Sequence, residues 1–120
     1  MTLLHMCTHG EWEQARAAGE RRPPSLETKG FVHCSTPEQV ALPANRLFAG
    51  RDDLLLLVLD ENALAAEIRW EKGVPTDPEH LRFPHVYGPV PVTAVRTVLP
   101  YRPDAQGVFH PPALPPASQG

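Results

Sequence analysis

Two histidines occupy the same kind of position in two short apolar segments of this chain. His5 lies within residues 3–8 (LLHMCT), and His33 lies within residues 30–36 (GFVHCST). Both segments have the length and composition of strands, in which alternate side chains point to opposite faces. A histidine among buried apolar neighbours needs a polar partner, because a buried unpaired imidazole is costly. The pair therefore predicts either one polar site shared between two strands or two separate core histidines, each bonded to a backbone carbonyl.

Three further polar side chains are candidates for chemistry. Glu71 follows Trp70 in the sequence. It could be a catalytic acid, a residue that stabilises a cationic transition state, or simply an exposed strand residue. His85 and Tyr87 alternate along residues 83–88 (FPHVYG), a proline-stiffened segment that ends in glycine. Stiff, irregular segments with polar side chains are typical of binding sites. The alternative for Tyr87 is simple packing, with its hydroxyl at the surface.

The histidines and cysteines also raise metal and thiol chemistry. His5, Cys7 and His9 alternate along the first segment, and His33 and Cys34 lie together in the second. These residue types bind zinc, but their spacing fits no closed structural site, so no metal is expected. A metal-dependent hydrolase would use His5, Cys7, His33 and His85. A cysteine nucleophile with a histidine base is a further alternative, whereas both cysteines also suit small core positions.

The composition indicates a single ordinary globular domain. The 120 residues are 42% apolar and 21% charged, with a formal net charge of −3 and only two cysteines. The acidic balance disfavours nucleic acid as a partner, and no apolar run approaches the ~20 residues that span a bilayer. No signal peptide is evident, so a cytoplasmic location is expected. We predict a globular domain over residues 1–102 and a flexible proline-rich tail over 103–120, with a proline-rich ligand segment as the alternative for the tail.

The pattern along the chain predicts an α+β domain of about five strands and two or three helices. Strands are predicted at residues 3–8, 30–34, 53–60, 68–71 and 94–99. The apolar run at 54–59 (LLLLVL) indicates a strand covered on both faces. Residues 83–91 are predicted to be an edge strand or irregular, because they contain three prolines.

The helices should position these strands. One is predicted at residues 11–19, where a glycine ends it, and a short one at 62–66, whereas residues 20–29 and 74–81 suit loops. A further helix should begin at a cap on Ser35 or Thr36, with Pro37 in its first turn and a bend or break at Pro43. Its expected apolar face consists of Val40, Leu47 and Phe48.

The sequence resembles the domain of unknown function 952 family over nearly all of residues 2–100. Several short motifs carry this resemblance, and together they are specific. They are Trp12 with Ala15, residues 30–39 (GFVHCSTPEQ), Ala44-Asn45, the strand at 54–60, Trp70-Glu71 and residues 83–89 (FPHVYGP). The family carries no established activity.

A more distant resemblance is to the ADP-ribosyltransferase fold, and within it to RNA 2′-phosphotransferases. Leu4-His5-Met6-Cys7 is similar to the first-strand motif of that group, and His33-Cys34-Ser35 is similar to the second-strand motif. The resemblance implies sheets around a cleft that binds NAD. Met6 departs from it, because the motif has a glycine there that lets a ligand approach the backbone.

The resemblance also implies roles for the candidate residues. It makes His5 the ribose clamp and gives His33 and Ser35 the second-strand contacts. Glu71 would stabilise the cationic transition state, and His85 or Tyr87 would shape the acceptor side. Catalytic roles thus fall to His5, His33, Glu71 and His85, and NAD-binding roles to His5, His33, Ser35 and Tyr87.

Two functions from different classes follow. One is a divergent NAD-dependent transferase that resembles the ADP-ribosyltransferases. The alternative is a non-catalytic module of the same fold that binds a nucleotide or another small ligand, which Met6 favours because its side chain would fill the nicotinamide pocket.

Overall fold

The structure, a computed structural model, describes residues 2–114, and within them the chain forms an α+β domain with antiparallel sheets and three α-helices. The strands are β1 (Thr2–Thr8), β2 (Glu20–Arg21), β3 (Val32–His33), β4 (Leu54–Asp60), β5 (Ile68–Glu71), β6 (Phe83–Val86), β7 (Val90–Pro91) and β8 (Val95–Tyr101). The helices are α1 (His9–Ala18), α2 (Pro24–Thr28) and α3 (Ala41–Leu47), and 3₁₀ turns occur at Glu61–Ala63 and Val92–Ala94.

The first sheet has the order β1–β4–β8, with β4 in the centre. Side chains of β4 alternate between two apolar clusters, with Leu57 and Leu59 in one and Leu54 and Leu56 in the other. The prediction of a strand covered on both faces is therefore confirmed. A continuous leucine run serves both faces because alternate residues of a strand point in opposite directions.

The second sheet has the order β3–β6–β5, so β6 is its central strand. The prediction of an edge or irregular segment is therefore wrong for Phe83–Val86. The carbonyl of Pro84 accepts a hydrogen bond from the Cys34 N–H at 3.1 Å, just beyond the last residue of β3. The backbone of Pro84 thus faces the end of a short strand, where its missing N–H interrupts no ladder.

Two links place the sheets against each other. Leu4 and Ser35 exchange both backbone hydrogen bonds, at 2.7 and 2.8 Å, which joins β1 to the segment after β3. The two-residue strand β2 pairs with β7, where Arg21 lies opposite Val90. As a result, the strands that carry His5 and His33 lie side by side.

Helix α1 begins two residues earlier than predicted and ends at the predicted glycine. Thr8 and Glu11 form a reciprocal capping box at the start, and Gly19 ends the helix with φ of 87°. That left-handed conformation suits glycine, which has no Cβ to clash. The predicted loop at 20–29 contains β2 and α2, and the predicted helix at 62–66 is only the turn at Glu61–Ala63.

The third helix begins later than predicted. Residues from Pro37 to Val40 form turns, in which the Val40 N–H donates to the Thr36 carbonyl, and α3 starts at Ala41. The cap on Ser35 or Thr36 is therefore wrong. Pro43 falls in the first turn of α3, where no intrahelical N–H bond is needed, so it causes no break. Leu47 is 70% exposed and does not belong to the apolar face.

The predicted tail at 103–120 begins with a packed segment. Phe109 is buried against Tyr101, with ring centroids 4.9 Å apart. Asn45 fixes it in both directions, because its side chain donates to the Phe109 carbonyl at 3.0 Å and accepts from the Phe109 N–H at 2.8 Å. This part of the chain thus joins the core, while residues 115–120 lie outside the described residues.

Candidate ligand-binding cleft

A cleft of about 310 Å³ is lined by residues of both three-stranded sheets. Of the candidates, His5, His33, Ser35 and His85 line it, together with many apolar side chains. Glu71 and Tyr87 are not among the lining residues; they contact His85 through hydrogen bonds of Glu71. The structure therefore brings the three histidines to one cleft and puts the carboxylate and the phenol next to it.

His5 is buried and uses both ring nitrogens. Nδ1 lies 2.7 Å from the His33 carbonyl oxygen, and Nε2 lies 3.1 Å from Nε of Arg21. Because the carbonyl only accepts and the guanidinium only donates, Nδ1 carries the proton and the ring is neutral. Burial, together with the nearby Arg21 charge, lowers the pKa of His5 to about 4. Both alternatives from the sequence hold in part: His5 is a core histidine bonded to a carbonyl, and it also lines the cleft.

Arg21 lines the cleft as well, and the sequence pattern did not indicate it. Its side chain is only 11% exposed, donates to His5 and lies 3.5 Å from the Glu11 carboxylate. Glu11 is held in turn by the Thr8 N–H at 2.8 Å. Arg21 follows α1 in a basic stretch with Arg16 and Arg22, which is more typical of a solvated helix end. Only the pairing of β2 with β7 selects Arg21 from its neighbours.

His85 belongs to a second hydrogen-bonded group, with Glu71 at its centre. Its Nδ1 lies 2.9 Å from Glu71 Oε1, which also accepts from the Tyr87 hydroxyl at 2.6 Å. These two bonds, that of Tyr87 first, lower the pKa of Glu71. Burial lowers the pKa of His85, although Glu71 acts in the opposite direction. The carboxylate accepts from Nδ1–H, and therefore the lone pair of the neutral ring is on Nε2.

Aromatic rings surround His85. Phe31 stacks on it with centroids 3.9 Å apart, and the exposed His33 ring packs edge-on at 5.2 Å. Partial loss of hydration lowers the pKa of His33 to about 4, with His85 and Lys29 contributing. Phe31 was also absent from the predicted site. Its place two residues before His33 in the sequence was the available signal, because residues i and i+2 of an extended segment point to the same face.

The structure does not assemble the metal and thiol sites. Cys7 packs in an apolar cluster and His9 begins α1. Within residues 2–114, no three His, Cys, Asp or Glu side chains are grouped to hold a metal ion. Burial raises the pKa of Cys7 to about 11 and that of Cys34 to about 12. Both thiols thus stay protonated at neutral pH and are poor nucleophiles.

The fold and the cleft define a small α+β domain with a histidine-lined pocket. The profile of the family described as "Protein of unknown function (DUF952)" matches residues 6–98, and the chain belongs to this family. The resemblance to that family is thereby confirmed. No curated protein matches the chain significantly. Within the described residues, no helix is long and apolar enough to cross a membrane.

Solved structures of protein CC0527 from Caulobacter crescentus share the fold. The crystal structure has a TM-score of 0.77 and 28% sequence identity, and the match covers 92% of this chain and 94% of that chain. The solution NMR structure has a TM-score of 0.74 and 29% identity, covering 90% of each chain. The resemblance to the ADP-ribosyltransferase fold stays a prediction, because neither comparison tests it.

Proposed function

We propose that this protein is a small-molecule-binding module whose cleft takes a nucleotide or a ligand of similar size. The observation that carries the proposal is the convergence of three histidines and two arginines, Arg21 and Arg46, on a single cleft of about 310 Å³. Ligand sites are typically concave and mainly apolar, with a few convergent polar groups, and their volumes begin at about 300 Å³.

The presence of Arg21 in the cleft favours a ligand with an anionic group. Its Nε is used by His5, and one Nη atom lies near Glu11. A guanidinium has five N–H donors, so others are left for the oxygens of a phosphate or carboxylate. Exposed apolar lining residues, Leu47 and Val74, offer surface to a planar ring. A ring joined to an anion is the general form of a nucleotide.

The residues fit one nucleotide unit rather than a complete NAD molecule. Met6 lines the cleft at the position where the resemblance implies glycine. Both ring nitrogens of His5 are bonded, so a ribose hydroxyl would have to displace Arg21 to reach the ring. A volume of about 310 Å³ is also at the lower end for ligand sites. If NAD is the ligand, the cleft would therefore hold only one of its two nucleotide halves.

NAD-dependent transfer is the second candidate, and one observation favours it. The histidines of the first and second strand motifs are neighbours, joined by the bond from His5 Nδ1 to the His33 carbonyl. This is the arrangement that the resemblance to ADP-ribosyltransferases implies. Incubation with NAD should then release free nicotinamide. Binding of nucleotides without such release supports the binding module alone.

Thermal-shift and calorimetric titrations with AMP, nicotinamide mononucleotide and NAD test the proposed function. We expect at least one of them to raise the unfolding temperature, since a ligand at 100 times its Kd stabilises the fold by about 2.7 kcal/mol. Loss of a hydrogen bond to a charged group corresponds to a roughly 10- to 100-fold weaker Kd, which is the effect expected for Arg21→Gln. His5→Ala should also weaken binding, because it removes the partner that holds Arg21.

Arg22→Gln is the matched control. Arg22 is the next residue in the chain, but its side chain is 55% exposed and pairs with Glu20. Its removal should leave the Kd unchanged. The proposed function is wrong if none of the three nucleotides binds at millimolar concentration, or if both arginine variants weaken binding equally.

A further inference from the structure

His85 Nε2 is a buried polar atom that lacks a partner within the protein. It is the one such side-chain nitrogen or oxygen among the buried atoms of residues 2–114. The residue is 2% exposed and lines the cleft. Buried polar atoms without a partner are rare in folded proteins, because each costs about 1–3 kcal/mol. A ligand that satisfies this atom would recover that cost.

The neighbours of His85 fix what kind of group Nε2 can bind. Glu71 accepts from Nδ1–H and is itself held by the Tyr87 hydroxyl, which keeps the carboxylate charged and in place. With the proton on Nδ1, Nε2 has only a lone pair. Phe31, stacked on the ring at 3.9 Å, limits its rotation. His85 therefore presents a fixed hydrogen-bond acceptor and no donor.

From this arrangement we infer that the ligand carries a hydroxyl or N–H group that donates to His85 Nε2, so that His85 selects the ligand. The inference rests on the proposed function in assuming that the cleft binds a small molecule. It adds the chemical class of the ligand, which is a ring compound with a hydrogen-bond donor. A compound with an ether or ketone oxygen at the same place should bind more weakly. Glu71 acts as a positioning residue that sets the tautomer of His85.

The ring of His33 is one of the groups packed against the His85 ring. This ring packs edge-on against His85 and is exposed, and its described contacts are with other rings. No hydrogen bond of the His33 side chain occurs within the described range of the chain, so the ring is free to change rotamer. Under the proposal, a ligand donor must pass the rings packed on His85, and a change of the His33 rotamer would open such a path. The His33 backbone carbonyl stays bonded to His5 during this change.

The test compares two ring compounds of nearly equal size, phenol and anisole, which differ in that only phenol can donate. Histidine ring resonances in ¹⁵N NMR give both the tautomer and the Kd for each compound. In the free protein, we expect His85 to be neutral with the proton on Nδ1. Phenol should shift the Nε2 resonance and bind about tenfold more tightly than anisole, the ratio that corresponds to about 1.4 kcal/mol.

Variants assign the preference to His85. His85→Phe keeps a ring against Phe31 but has no acceptor, and should bind the two compounds equally. His80→Phe replaces an exposed histidine outside the cleft and should keep the tenfold ratio. The wild-type NMR measurement stands even if His85→Phe does not fold. The inference is overturned if phenol leaves the Nε2 resonance unmoved, if wild-type protein binds both compounds equally, or if His85→Phe keeps the preference.

The two proposals fail separately. If no nucleotide binds but phenol is preferred over anisole, the nucleotide assignment is wrong and the donor rule holds. If AMP binds and its 2′,3′-dideoxy analogue binds as tightly, while phenol and anisole also do not differ, the donor rule is wrong and the nucleotide site holds.

Discussion

The stability of the protein should depend on pH through His5. In the folded chain, burial and Arg21 lower the pKa of His5 from 6.5 to about 4. Between these two values, the unfolded chain binds a proton at this position and the folded chain does not. The free energy of unfolding therefore falls as the pH falls from 6.5 to about 4. Each pKa unit corresponds to about 1.4 kcal/mol, so His5 alone accounts for roughly 3 kcal/mol over this range.

A comparison with His5→Asn isolates this effect. Asparagine still offers an N–H to the His33 carbonyl, but it does not titrate. Above pH 7 we expect wild-type protein to be more stable than the variant, because the shorter asparagine side chain does not span from the His33 carbonyl to Arg21 as the imidazole does, and it leaves a small void. This difference should shrink by roughly 3 kcal/mol between pH 7 and pH 4. Urea unfolding followed by tryptophan fluorescence gives both free energies at each pH.

The control for this comparison is His80→Asn, which changes an exposed loop histidine. The stability difference between wild type and this variant should stay nearly constant over the same pH range. If the difference for His5→Asn is also constant, the ring of His5 is not the neutral, doubly bonded group that the structure shows.

Two further predictions concern packing. Gly88→Ala should destabilise the fold by about 1–3 kcal/mol, because a Cβ there would lie 2.8 Å from the Ala66 Cβ. Gly10→Ala, in the open first turn of α1, should instead stabilise it by roughly 0.4–1 kcal/mol. Urea unfolding measures both changes, and equal effects would contradict the geometry. Phe109→Ala should lower the free energy of unfolding by about 3–5 kcal/mol. Val108→Ala, at a position 42% exposed, should lower it far less. A small decrease for Phe109→Ala would show that the segment after Tyr101 does not belong to the core.

Local signals were enough to predict part of the fold. The stop of α1 at Gly19 is determined by residues within one turn, and the leucine run of β4 determines its own burial. The position of β6 was not accessible in this way. Whether a proline disrupts a strand depends on which neighbour faces its missing N–H, and for Pro84 that neighbour is the end of β3. The position of β6 therefore depends on the pairing of segments that are distant in the sequence.

The same division applies to the site. A histidine within an apolar strand indicates a polar contact, and His5, His33 and His85 do meet at one cleft. Arg21 carries no comparable signal, because an arginine after a helix is usually solvated. Its selection depends on β2 pairing with β7 and on His5 accepting its Nε–H. Phe109 likewise looks like part of a tail until Asn45, 64 residues away, binds its backbone.

The hydrogen bonds of His5 and His85 favour other roles for these residues than the sequence predicted. A ribose clamp needs a free ring nitrogen, and His5 has none while it accepts from Arg21. Its bonds instead hold the guanidinium in the cleft, so under the proposed function His5 would act on a ligand through Arg21. His85 has the opposite arrangement, with one nitrogen fixed by Glu71 and the other without a partner. The proposed ligand-selecting role therefore moves from the first strand to the central strand of the second sheet, within the proline-stiffened segment that the sequence had marked as typical of binding sites.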